Sequence, residues 1–170
     1  MSSDEQSSQT SHFGQGKLPG EHPYGDLGQI IFFFVFLIVW ILDSFVFKLS
    51  TVLTATIPFA IRLLGAALFF GLSLYLYRAS HHIVDEARES DRKLIQSGPF
   101  AKVRHPLYLS ALLLYLAFIV ATLSLVSFGL WLFIFLFYNF IAAYEENKLL
   151  DIFGQDYSDY MKRASRWFPF

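Results

Sequence analysis

Residues 107–144, LYLSALLLYLAFIVATLSLVSFGLWLFIFLFYNFIAAY, form 38 consecutive positions without a charged side chain. As one helix they would measure ~57 Å, against a bilayer hydrocarbon core of ~30 Å. The stretch must therefore turn back on itself, and Thr122, Ser124, Ser127 and Gly129 mark where. Two antiparallel spans follow, about 107–123 and 126–144, and so short a turn leaves them adjacent. The chain as a whole is 55% hydrophobic, 19% aromatic and 16% charged, the profile of a small integral membrane protein.

Upstream, residues 27–47 are uncharged apart from Asp43, nearly all Phe, Ile, Leu and Val, and make a first span if Asp43 lies at the far interface. Thr56 and Pro58 then signal a helix start, and 57–77 make a second span whose Arg62 can snorkel to the interface. Gly65, Ala66, Ala67 and Gly71 suit close helix approach. Residues 1–26, rich in Ser, Gln, Gly and His, cannot bury enough surface to offset the entropy of ordering, and are expected to be a disordered polar tail containing His12 and His22. The charge-dense connection 78–106 must lie outside the hydrocarbon, with a short interfacial helix over about 82–93. After residue 144, Leu149, Leu150, Phe153, Tyr157, Tyr160 and Met161 recur at helical spacing, an amphipathic pattern that Gly154 bends or ends. Trp167, Phe168 and Phe170 read as interfacial anchors in this segment, 145–170. The expected fold is an all-α integral membrane protein with four transmembrane helices, a C-terminal amphipathic helix and a cytoplasmic site, spanning 27–170.

Orientation comes from Lys and Arg. The central connection carries six (Arg78, Arg88, Arg92, Lys93, Lys102, Arg104) and the C-terminal segment four (Lys148, Lys162, Arg163, Arg166), against Lys48 and Arg62 on the other side. The positive-inside rule puts both charged segments, and with four spans both termini, in the cytoplasm. A net charge of -1 and the lack of a basic, aromatic-interleaved patch speak against nucleic acid. Without cysteine there are no disulfides or thiolates, and adjacent His81 and His82 share no helix face, so no metal site is expected. The chemistry falls to His, Glu, Arg and Tyr.

Those residues concentrate in two blocks. The first, residues 94–108, reads LIQSGPFAKVRHPLY. Pro106 suits the first position of a helix, whose free N–H groups and positive end, with Arg104, offer a seat for a carboxylate or phosphate. The second block opens with Glu145 and Glu146 at the mouth of a span, against the basic bias expected there. If the helix ended at that point they would also meet its negative end. The structural alternative pairs one of them with Arg104 or Arg163 and leaves the other solvated. Asn139, two turns earlier on the same face, reads as an interhelical hydrogen-bonding residue.

Together the blocks resemble the membrane methyltransferase family that includes isoprenylcysteine carboxyl methyltransferases and phospholipid N-methyltransferases. The resemblance rests on Leu94-Ile95, Gly98, Phe100 and Arg104-His105-Pro106-x-Tyr108, then Glu145-Glu146, Leu149, Phe153-Gly154, Tyr157, Tyr160 and Pro169, and covers about the last half of the chain. It implies S-adenosyl-L-methionine bound at the cytoplasmic face, with Leu94, Ile95, Phe100, His105, Pro106, Tyr108 and Glu145 as cofactor-binding residues. His105, Arg104 and Glu146 are then the candidates for catalysis of methyl transfer to a lipophilic acceptor. An amine or thiol acceptor would have to lose a proton, to His105 or Glu146, whereas a carboxylate would need no base.

The carboxyl-methylating members of that family carry an Arg one turn before the first Glu, where this chain has Ile141, and a His where it has Arg92. The acceptor therefore stays open among a phospholipid amine, a prenylated cysteine carboxylate and another small lipophilic molecule. Two other classes compete. A membrane reductase of the sterol-reductase type would use NADPH and call for more spans and more phosphate-binding basic residues, and a non-enzymatic membrane scaffold would keep the fold without the chemistry.

Overall fold

The computed structural model describes residues 25–89 and 94–168. The tail up to residue 24 with His12 and His22, the charged residues Asp91, Arg92 and Lys93, and Pro169 and Phe170 lie outside the described residues. The described chain is helical throughout, with one isolated parallel bridge between Val103 and Ser165.

Helix α1 covers Gly25–Ile41 and widens into a π-helical turn, Leu42–Phe47, which Lys48 ends in a left-handed conformation. After a 3-10 turn, Val52–Ala55, Pro58 leads into α2, Phe59–Glu89. This helix has 31 residues, about 46 Å at 1.5 Å each, so it carries straight on through the first half of the stretch expected to be a connection. The expected interfacial helix is its far end, because no Gly or Pro interrupts residues 72–89. A second 3-10 turn, Gly98–Ala101, precedes α3, Pro106–Thr122, with Pro106 at its first position. Leu123 closes α3 in a left-handed conformation, Ser124 caps the next helix by accepting from the Ser127 N–H at 3.0 Å, and α4 runs over Leu125–Phe153. The expected reversal is there. Gly154, at φ +54°, separates α4 from α5, Gln155–Arg163.

Helices α2 and α3 pack along much of their length. The Gly65 Cα faces Val120, where an added methyl would sit 3.0 Å from Cγ1, and Ser73 Oγ donates to the Ser110 carbonyl at 2.7 Å. Arg62 does not simply snorkel: it donates to the Ala121 carbonyl at 2.8 Å and to that of Ile57 at 3.2 Å, capping the end of α3. Between α1, α3 and α4 runs an aromatic seam that includes Phe36, Tyr115 and Tyr138, with the Phe36 and Tyr115 rings 4.5 Å apart.

The segments Leu27–Phe47, Phe59–Ala87 and Leu125–Phe153 are long and apolar enough to cross a membrane, and α3 is a shorter apolar helix of 17 residues. Outward faces carry exposed Leu64, Leu68, Leu136 and Phe140. Such surface is favourable only where the solvent is hydrocarbon.

Candidate active site

Three pieces of chain meet where α3 begins: the segment after the second 3-10 turn, the polar end of α4, and the segment after α5. Backbone bonds fix the first to the last. Arg104 N donates to the Ser165 carbonyl at 2.8 Å and Ser165 N to that of Lys102 at 3.1 Å. From the side, the Tyr160 hydroxyl donates to the Phe100 carbonyl at 2.6 Å, while Leu94 packs on Tyr157, Tyr160 and Ala164. Burial pushes the Tyr160 phenol up to about 12, and the Tyr157 phenol is raised as well.

Glu145 and Glu146 do not lie at a helix end. They sit two turns inside α4, which continues to Phe153, so they meet no negative helix terminus. Being neighbours, they point to different surroundings. Glu146 is 2% exposed and accepts four bonds. Its Oε1 takes Arg104 Nε at 3.0 Å, His105 Nε2 at 3.1 Å and Arg166 Nε at 3.0 Å, and its Oε2 takes Arg166 Nη2 at 2.5 Å. A carboxylate donates nothing, so the His105 proton on this side sits on Nε2. Glu145 Oε1 instead accepts from the Tyr108 hydroxyl at 2.8 Å, and its Oε2 lies 3.7 Å from His105 Nδ1. His105 stacks beside Tyr108 and faces Trp167, with ring centroids 5.7 and 6.0 Å away.

Of the residues singled out in the sequence, Arg104, His105, Pro106, Tyr108, Glu145 and Glu146 gather in this cluster. Leu94 and Phe100 hold α5 against it, and Ile95 is half-buried. Arg104 turns its other arm to the Met161 and Ala164 carbonyls at the end of α5, at 3.2 and 2.6 Å. Glu146 pairs with Arg104 as one alternative held, but Arg163 bonds Gln96 and the Asp159 carbonyl, and Glu145 is half-buried against Tyr108 rather than solvated.

The sequence reading missed Arg166. It also placed Trp167 at the interface, yet Trp167 is buried and donates to Asn139 Oδ1 at 3.1 Å, an oxygen it shares with Arg166 Nη1. Asn139 thus tethers the C-terminal segment. A Trp four residues after a helix end carries no periodic signal, so nothing in the pattern pointed inward. Ile141 is 2% exposed in the aromatic seam.

The profile of the phospholipid methyltransferase family matches residues 59–156, more than half of the chain. The chain belongs to this family. It is also 28% identical over 135 residues to the protein-S-isoprenylcysteine O-methyltransferase of Saccharomyces cerevisiae, covering 76% of this chain and 54% of that protein. The chain thus spans about half the length of the curated relative it matches. No solved structure matches it. In this phospholipid methyltransferase family member, the matched residues take in Arg104, His105, Tyr108 and both glutamates, but end before Arg166.

Proposed function

We propose that the protein transfers a methyl group from S-adenosylmethionine to a lipophilic acceptor that enters from the bilayer. In this reading α3 is a fourth span, short but within the range that crosses, and the site faces the cytoplasm. The observation that carries the reading is the meeting of Tyr108, His105 and Glu145 at the first turn of α3.

The donor set fits the cofactor. His105 Nδ1 lies 3.7 Å from a carboxylate oxygen of Glu145. A carboxylate at that place favours a cation beside it, as the ammonium and sulfonium groups are. The Tyr108 and Trp167 faces offer a wall for a flat aromatic ring, and the amides of the first turn of α3 suit an anionic group. When bound, S-adenosylmethionine supplies an electrophilic methyl group and a neutral sulfide as leaving group.

The residues of the chain then divide the work. Glu145 binds the cationic part, and Tyr108 holds Glu145 by its hydroxyl. Glu146, saturated by Arg104, His105 and Arg166, orients the imidazole and is not available as a base. For an amine acceptor, His105 Nδ1 takes the proton that the acceptor must lose; a carboxylate acceptor leaves it idle. Buried aromatic side chains keep water from the reacting atoms.

Calorimetric titration of the purified protein with S-adenosylmethionine and S-adenosylhomocysteine, with NADPH for comparison, tests this. Saturable binding of the two adenosyl ligands, lost in Glu145→Ala and His105→Ala, is the expected result. Binding of NADPH alone would favour a reductase, and binding of none by folded protein a scaffold.

A further inference from the structure

We infer that Arg166, on the segment after α5, is a positioning residue of this site: it fixes the plane of the Glu146 carboxylate and through it the His105 imidazole. The inference rests on the methyl-transfer reading. Oε1 of Glu146 is held by three donors from different directions, but Oε2 has a single donor among the described residues, Arg166 Nη2. A carboxylate held at one oxygen alone can swing about its last torsion, and one gripped at both oxygens by a guanidinium fork cannot. Arg166 supplies that fork, Nε to Oε1 and Nη2 to Oε2.

The fork is itself held. Arg166 Nη1 donates to Asn139 Oδ1, on which Trp167 Nε1 converges, and the backbone at Ser165 is bonded to Lys102 and Arg104. Glu146 in turn bonds only one edge of His105, Nε2, so the direction in which Nδ1 looks follows from the carboxylate plane. The segment after α5 thereby acts on the reacting side of the imidazole from the opposite edge. Trp167 adds a ring face to His105 from the same segment. The Glu146–Arg166 bond strengthens the hold from the arginine side too, raising the Arg166 pKa above its ordinary value.

The test uses the full chain in lipid nanodiscs, in wild type, Arg166→Gln, Arg166→Lys, Asn139→Ala and, as a control on the exposed face of α5, Arg163→Gln. Imidazole resonances from 15N-histidine labelling are read for His105, which is assigned among the five histidines with His105→Gln. The dissociation constant of S-adenosylhomocysteine is measured in parallel. The His105 resonances should move in Arg166→Gln and Asn139→Ala, move less in Arg166→Lys, and stay in Arg163→Gln. Affinity for S-adenosylhomocysteine should fall roughly tenfold or more in Arg166→Gln, as expected when a binding group is misplaced by a fraction of an ångström.

Unmoved His105 resonances in folded Arg166→Gln would overturn the inference. Moved resonances with unchanged affinity would confine Arg166 to the fold and overturn its role in the site. Should Arg166→Gln not fold, Arg166→Lys and Asn139→Ala decide by the same two readouts. Failure of the wild type to bind S-adenosylhomocysteine would end the methyl-transfer reading, while the resonances would still decide whether Arg166 orients the imidazole.

Discussion

Asp43 and Ser124, 81 residues apart in the chain, are joined by a 2.5 Å hydrogen bond at the end of the molecule opposite the candidate site. The π-helical turn directs Asp43 inward, where it is 4% exposed and also accepts from Ser50 N and Oγ. Its charge faces the N-terminus of α4, which Ser124 caps. The carboxylate thus ties the end of α1 to the turn between α3 and α4 with help from the positive helix end. Asp43→Ala should leave the Ser50 and Ser124 donors without their acceptor and cost about 2 kcal/mol of stability. S-adenosylhomocysteine binding at the far end should persist. A melting temperature in detergent equal to that of the wild type would sink this account.

The two glutamates should separate by assay. Glu146→Ala leaves a buried His105 and a half-buried Arg104 beside a void and should destabilise the fold by about 3 kcal/mol or more. Glu145→Ala removes one bond from Tyr108, about 1 kcal/mol, and should keep the fold while weakening cofactor binding. Thermal unfolding and ligand titration of both variants check the contrast; equal losses of stability would show that the division is wrong.

Two glycines of α2 make a paired control. Gly65 meets Val120 across the α2–α3 contact, whereas nothing lies within 4 Å of the methyl that Gly71 would gain. Gly65→Leu should therefore cost about 1–3 kcal/mol by forcing the helices apart, and Gly71→Leu close to nothing. Chemical unfolding of the two proteins in the same detergent reads the difference.

Gly98 carries both a left-handed backbone, φ +57°, and a close neighbour: an added methyl would sit 2.5 Å from Ile83 Cδ1. Gly98→Ala should cost about 1–2 kcal/mol from the backbone alone, with the clash added. Combining it with Ile83→Ala should recover the steric part and leave the backbone part. No recovery on thermal melting would locate the whole effect in the turn.

Alkaline pH should loosen α5. Tyr160 is an acid whose folded pKa lies above its unfolded value of about 10, so folding binds its proton more tightly. The resulting stability is complete below pH 10 and is lost as pH climbs through about 12. Melting temperatures taken from pH 9 to 12 should fall, and Tyr160→Phe should flatten the slope. An equally steep slope in Tyr160→Phe would assign the loss elsewhere, Tyr157 being the next candidate.

Read by itself, the sequence determined the apolar segments, the reversal within residues 122–129, the two blocks that meet at the start of α3 and the family they resemble. These follow from local rules: a charge-free run longer than a bilayer must turn, Pro106 opens a helix, and Gly154 closes one. Tertiary structure alone decided the rest. Neither Glu145 nor Glu146 can be assigned from residues that differ by one position; the 100° turn between them sends one to Tyr108 and the other to Arg104 and Arg166. Arg166, Trp167 and Asn139 came together only because α5 folds back on the start of α3. Periodicity describes a helix's own faces, and carries no information about which distant segment will cover them.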